Sequence, residues 1–420
     1  MRSARGSGLI FASVLGMLLH CVVGAEQAKV PIRQTLQAPV APDSPVDPNA
    51  IVIGLDADMS SGTAEAGEAI RRGIVLALNE LNRAGGLLGR PLQLVVRDHQ
   101  GNPARGIDNM EAFARLGNLI AVVGGLHSTV ALDELETVHR HRLIFLLPWA
   151  AGTPVIHNNY MPNFAFRVSA RDEYVGAFLI EQALHLGYRR PGLLLEQTTW
   201  GNSNEQALVT ALKKHGLSPA GIEWFFRGVD DITDVIATLR SSGADVLILV
   251  ANAPEGIVAM RSMAALPQAH RLPIISHWGI TGAGKRFVTQ VGESLSKVDL
   301  VFLQTFSFLA PSFPERAKQV GDAYCTAFPD CRSARDIFSP AGTAQAYELI
   351  HLLARAIQQA GTLDRSAVRD ALENLPAYDG LIRNYTTPFT AGHHDALDAT
   401  DFRLARYDSD GTIVPLAVEK

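Results

Sequence analysis

From Ile51 onward the chain alternates short apolar runs, each bounded by turn residues, with longer amphipathic stretches. Ile51-Val52-Ile53 leads into a helical pattern through Ile70, Ile74, Ala77 and Leu81, then Gly85-Gly86, then the run Leu92 to Val96. That is β-α-β order. The pattern recurs at Leu119 to Val123, Leu143 to Leu147, Leu193 to Leu195, Val246 to Val250, Pro273 to Ile275 and Val298 to Leu303. Short apolar strands separated by helices require parallel sheets covered on both faces. About nine strands fit two sheets better than one, and 420 residues supply two ordinary cores. In such sheets a ligand sits beyond the carboxyl ends of the strands, where loops run into helix N-termini. The loops in question are Asp56 to Gly67, Gly124 to Thr129, Pro148 to Gly152, Gln197 to Asn204, Ala251 to Gly256 and His277 to Gly284.

Charge narrows the partners. A formal net charge of -5 with no long block of Lys and Arg leaves no electrostatic footprint for nucleic acid. Arg2 and Arg5, the apolar run Leu9 to Leu19 and the small-residue site Val23-Gly24-Ala25 read as an export signal cleaved near Ala25, which places the mature protein in the periplasm. Cys21 follows the bulky His20, a mismatch to a lipid-attachment signal. Residues 26–49, rich in Pro, Ala, Gln and Asp, read as a flexible leader. Cys325 and Cys331 then form an even pair, suited to a disulfide closing a small loop in an oxidising compartment; two free thiols is the alternative.

Several stretches carry a family resemblance that periodicity alone does not give. They are Gly124-Gly125-Leu126-His127-Ser128-Thr129, Pro148-Trp149-Ala150-Ala151, Asn82-Arg83-Ala84-Gly85-Gly86-Leu87-Leu88-Gly89, the Trp200-Gly201 turn and the helix around Tyr347. Together, over about Ile51 to Gly411, they resemble the type I periplasmic binding proteins, and in particular the leucine/isoleucine/valine-binding proteins of branched-chain amino acid ABC transporters. The resemblance implies an α/β fold of two Rossmann-like lobes joined by three crossover hinge segments, which close on a small ligand. It puts residues 50–169 and 303–385 in lobe one, and 170–302 and 386–420 in lobe two. It further implies a monomer that presents its ligand-bound closed form to an ABC-type membrane permease, with no cofactor, no metal and no catalysis; the alternative is a ligand-sensing protein of the same fold that docks on a receptor.

Carried over residue by residue, Ser128 falls on the family's serine that hydrogen-bonds the ligand carboxylate, beside Thr129 at a helix N-terminus that favours negative charge. Ala151 stands where relatives often have a Thr for the ligand amine and carboxylate. Trp278 stands where they have a Glu that pairs with the ammonium. An α-ammonium without that anion would be desolvated at a cost of several kcal/mol, so a zwitterionic amino acid is disfavoured. Three of the 4 Trp, namely Trp149, Trp200 and Trp278, fall on the ligand loops, with Phe306 nearby. Indole stacks on rings and caps apolar groups, which favours an aromatic or apolar ligand bearing a carboxylate or hydroxyl; ordinary core packing is the plain alternative for each Trp. Asn252, Asp58 and Ser60 are further polar candidates.

Competing motifs fall short. Gly279-Ile280-Thr281-Gly282-Ala283-Gly284-Lys285-Arg286 has P-loop spacing, but Arg286 stands where a hydroxyl must hold Mg²⁺. His139, His141, His393 and His394 read as surface histidines rather than metal ligands. Asp408-Ser409-Asp410-Gly411 starts like a calcium loop, yet Ile413 occupies the turn glycine's place, so a β-turn is the simpler reading even with Glu419 at the twelfth position. An exported hydrolase on the same framework lacks a Gly-x-Ser-x-Gly elbow.

Overall fold

The structure is a computed structural model that describes residues 45–416; the export signal, most of the leader and Glu419 lie outside the described residues. The chain begins with β1 (Ile51–Ala57), α1 (Ala64–Arg83), β2 (Leu92–Asp98), α2 (Pro103–Ala114), β3 (Leu119–Val123), α3 (Ser128–Arg140), β4 (Ile144–Leu147), the single turn α4 (Thr153–Ile156) and β5 (Ala165–Arg167). It continues with α5 (Asp172–His185), β6 (Pro191–Glu196), α6 (Thr199–Lys214), β7 (Gly221–Phe225), α7 (Thr233–Ser241), β8 (Val246–Val250), α8 (Ala253–Ala265), β9 (Ile274–Ser276), α9 (Lys285–Val291) and β10 (Leu300–Gln304). The rest comprises α10 (Pro314–Ala327), α11 (Pro340–Ala360), α12 (Arg365–Leu372), the short hairpin β11 (Tyr378–Asp379) and β12 (Asn384–Tyr385), then β13 (Arg403–Tyr407) and β14 (Ile413–Pro415).

Two sheets organise the molecule. The first has order β2-β1-β3-β4-β5 and is parallel throughout. The second has order β14-β13-β10-β9-β8-β6-β7, parallel except where β13 pairs antiparallel with β10 and β14. Central strands such as β3, β4 and β8 are buried along their whole length, which is why they read as unbroken apolar runs. Helix α1 turns its stripe Ile70, Ile74, Ala77 and Leu78 inward against α11. The two helices approach so closely that a Cβ on Gly73 would lie 2.2 Å from the Thr343 carbonyl oxygen. At the end of α10, Cys325 is joined to Cys331 with Cα atoms 4.6 Å apart, and Asp330 between them pairs with Arg72 of α1 at 2.9 Å. Among the described residues no helix is long and apolar enough to cross a membrane.

The chain passes between the sheets three times, after β5, after β10 and before β13. Two lobe boundaries differ from the sequence reading. Leu303 and Gln304 still pair with β13, so the second crossing follows Gln304. Phe389, Ala396 and Leu397 pack in the first core with Phe166, so the stretch after 385 stays with lobe one until β13. The reason is a buried ion pair. Arg167, at the end of β5, and Asp395 are both fully buried and meet at 2.6 Å. Around them the two segments form a short bridge, with Arg167 N–H donating to the His394 carbonyl at 2.8 Å and Ala396 N–H to the Arg167 carbonyl at 2.8 Å.

Burial opposes the Asp395 charge, but the Arg167 guanidinium and a hydrogen bond with His157 outweigh it and hold the carboxyl well below the usual carboxylate range. Breaking such a pair strands a buried charge, at a cost of about 3–5 kcal/mol. Asp395→Asn is therefore expected to lower urea unfolding stability by that amount, and Arg167→Met with Asp395→Leu to recover part of the loss. A loss under about 0.5 kcal/mol for the single variant, the level of an ordinary surface substitution, would contradict the assignment.

Candidate functional site

Between the two sheets lies a narrow, nearly closed cavity with a volume of about 10 Å³, room for about one water molecule, lined by residues of both lobes. Lobe one supplies Leu126, His127, Ser128, Trp149, Ala150 and Ala151; lobe two supplies Trp200, Arg227, Asn252, Trp278 and Gly279. Five of the six loops named from the sequence meet here. Each follows the carboxyl end of a strand, β3, β4, β6, β8 and β9 in turn. Arg227, just past β7, completes the ring and was not singled out from the sequence.

The lobe-one wall is set by Arg167. Its Nη1 donates to the carbonyls of Ala150 at 3.1 Å and Gly152 at 3.0 Å, while Ser169 Oγ donates to the Trp149 carbonyl at 2.8 Å. This fixes the loop that carries Trp149. Ser128 opens α3, and its Oγ accepts the Gly152 N–H at 3.0 Å; its hydroxyl proton remains to be donated. The free N–H groups of the first turn of α3 add a positive end.

His127 lines the cavity and is held from behind. Thr63 Oγ1 donates its only proton to Asp58 Oδ2 at 2.6 Å, so it must accept from His127 Nε2 at 3.0 Å. His99, 5.8 Å away, is pushed down to about 3 by burial and by His127, and stays uncharged.

In lobe two, Glu196 at the end of β6 is fully buried. Its Oε1 accepts from Arg227 Nε at 2.5 Å and its Oε2 from Asn252 Nδ2 at 3.0 Å. Trp278 stacks on Trp149 across the lobe boundary, centroids 5.3 Å apart and planes inclined by 26°. Trp200 Nε1 donates to Asp172 Oδ1 at 3.3 Å, so its indole N–H is already used. Gly279 is required by crowding, since a Cβ there would lie 2.4 Å from the Ala251 carbonyl oxygen and 2.9 Å from Trp200. The lobes also clasp outside the cavity, where Arg286 Nη2 donates to Glu65 Oε2 at 2.6 Å and to the Gly62 carbonyl at 3.1 Å. The residue that spoils the P-loop spacing is thus an inter-lobe contact.

Of the sequence candidates, Ser128, Trp149, Ala151, Trp200, Asn252 and Trp278 line the cavity, and four do not. Phe306 is buried in the first core, edge-on to Phe308 at 4.8 Å, because it follows the crossing rather than facing the cleft. Asp58 is buried with its carboxylate taken by Ser61, Thr63 and their backbone N–H groups. Ser60 is exposed and donates to Asp98 Oδ2 at 2.5 Å. Thr129 is half-buried on α3 outside the lining. His394, read as a surface histidine, is a core residue stacked on Phe166 at 4.0 Å and bonded to Glu373 at 2.9 Å. Asp408 and Asp410 pair with Arg335 at 2.8 and 3.0 Å beside the β13–β14 turn.

Beneath the lobe-one loops, Asp56 and Glu134 face each other and leave Asp56 Oδ2 and both Glu134 oxygens with no other partner. Burial pushes both carboxyls up, Asp56 to about 7, so they share a proton. A folded-state value raised above the unfolded one gives stability that is full below about 4 and is lost as pH rises through about 7. Glu134→Gln is expected to flatten that decline between pH 4 and 7 in urea unfolding. A wild-type curve that is already flat there would contradict it.

A family model described as "Periplasmic binding protein" matches residues 50–412. The Leu/Ile/Val-binding protein homolog 3 of Brucella melitensis is 23% identical over 369 residues, covering 87% of this chain and 93% of that one. A type 1 periplasmic binding protein from Bordetella pertussis Tohama I superposes with a TM-score of 0.78 at 20% identity, over 88% of this chain and 100% of the other. A fatty acid ABC transporter substrate-binding protein from Thermomonospora curvata does so with a TM-score of 0.74 at 17% identity, over 90% and 95%. With two sheets, three crossings and a cavity walled by both lobes, this chain belongs to the periplasmic binding protein family, in its type I form.

Proposed function

We propose that the protein is the exported solute-binding component of an ABC-type importer, working as a monomer that captures a small aromatic or apolar acid and presents its closed form to a membrane permease. The observation that supports this reading is the lining of the cavity, where indoles from both lobes stand beside an unused hydroxyl at a helix N-terminus and no Asp or Glu is present. The ligand carboxylate takes the Ser128 hydroxyl and the first-turn N–H groups of α3. Its apolar body displaces the contact between Trp149 and Trp278 and lies against their faces. Closure then needs only the three crossing segments to change dihedral angles while each lobe moves as a body.

A zwitterionic amino acid fits poorly. Glu196, which bonds two of the lining residues, is already occupied by Arg227 and Asn252, and Trp278 offers an ammonium nothing but a ring. The name of the Brucella relative points to branched-chain amino acids, and the lining argues that this chain has left that specificity.

Thermal unfolding of the purified mature protein across a metabolite panel tests this. A ligand at a hundredfold excess over its dissociation constant adds about 2.7 kcal/mol of stability. Aromatic or apolar acids are expected to raise the midpoint and leucine to leave it unmoved. Trp278→Glu is expected to weaken the acids at least tenfold and to admit leucine. A midpoint raised by leucine in the wild type would overturn the ligand assignment.

A further inference from the structure

Arg227 reaches the cavity because β7 is the edge strand of the second sheet and ends at Phe225, where the chain turns back toward the cleft. The guanidinium is half committed. Nε donates to Glu196 Oε1 at 2.5 Å, and the other Glu196 oxygen is held by the N–H and the side-chain amide of Asn252 at 3.2 and 3.0 Å. Glu196 is fully buried and the Arg227 side chain retains 36% exposure. The pair is therefore anchored at its acid end and open at its basic end. Neither Nη1 nor Nη2 has a hydrogen-bond partner within the protein among the described residues. An arginine so fixed presents two parallel donors, the geometry that binds a carboxylate in bidentate fashion.

Of the residues lining the cavity, Arg227 is the one with a permanent formal charge, and that charge is positive. Glu255 is a nearby acid not paired with it. Its Oε1 accepts the Gly228 N–H at 3.1 Å, and burial together with the charge of Glu196 pushes its carboxyl up.

We infer that Arg227 is the specificity-determining residue of lobe two, reading an anionic oxygen group of the ligand at the side of the cleft where the related site would hold an ammonium. This rests on the solute-binding reading above and sharpens it. The ligand class is an apolar or aromatic acid with an acidic group directed at lobe two, either a second one or the one that α3 also faces. Asn252 and Glu196 are positioning residues that hold the guanidinium in place.

Titration calorimetry with matched ligands separates the possibilities: a monocarboxylate, the dicarboxylate of the same skeleton, and the primary amide of each. The wild type is expected to prefer acid over amide by roughly ten- to a hundredfold, the range of a charge-assisted hydrogen bond. In Arg227→Gln that preference collapses toward unity. Arg227→Gln strands the Glu196 charge, so Arg227→Gln with Glu196→Gln is measured beside it, and Arg227→Lys keeps the charge while losing the fork. Lys is expected to retain an intermediate preference. A preference confined to the dicarboxylate places a second acid at Arg227, and one shared by the monoacid places the single carboxylate there; both support the inference. Unchanged acid-over-amide discrimination in all three variants overturns it while leaving the solute-binding reading intact. A wild type that binds neither acids nor amides overturns both.

Discussion

The buried pair of Arg167 and Asp395 holds together what the rest of the molecule depends on. One partner ends the last strand before the first crossing, and the other precedes the last crossing. A single guanidinium joins these segments and also clamps the carbonyls of Ala150 and Gly152. The lobe-one wall of the cleft is therefore referenced to the hinge. Two buried charges this close gain only when their other polar atoms are also satisfied. Here the backbone carbonyls, His157 at 3.2 Å and Arg171 at 3.8 Å supply part of that, while Arg167 Nη2 has no hydrogen-bond partner. Hinge and ligand loop are one polar cluster, so closing the lobes and seating a ligand act on the same atoms.

The cleft is asymmetric in its electrostatics. Lobe one offers dipoles, the α3 N-terminus and the hydroxyl of Ser128. Lobe two offers a formal cation, the partly exposed Arg227, whose counter-ion Glu196 is fully buried. Both favour an anion, and the stacked indoles make the remaining surface apolar and flat. Arg286 with Glu65 adds a half-exposed ion pair across the lobes, and such a pair contributes at most about 1 kcal/mol. That suits a closure that must reverse.

Much of this was legible in the sequence. Buried parallel strands announce themselves as unbroken apolar runs, so β1 to β4, β6, β8, β9 and β10 stand out, and the strand-end rule places five of the cavity loops. Edge elements do not. β7 is only half-buried and carries Glu223 beside Trp224, so it offers no apolar run, and with it the sequence hides Arg227. β5 has three residues, too few for a pattern. The trespass of residues 386–397 into lobe one depends on Asp395 meeting an arginine more than two hundred positions away, which no local signal carries. Asp58 and Ser60 looked like ligand groups because polar loop residues look alike. Their short-range bonds to Ser61, Thr63 and Asp98 show that they shape the loop instead.

Three of the four tryptophans line the cavity, and the fourth, Trp224, sits half-buried on β7, so intrinsic fluorescence reports on the cleft. Titrating the wild-type protein with an aromatic carboxylate, with leucine as the parallel titrant, tests the central claim most directly. The account predicts a saturable change in tryptophan emission with the acid, abolished in Trp149→Ala with Trp278→Ala, and none with leucine. A saturable response to leucine, or an acid response that survives loss of both indoles, would contradict it.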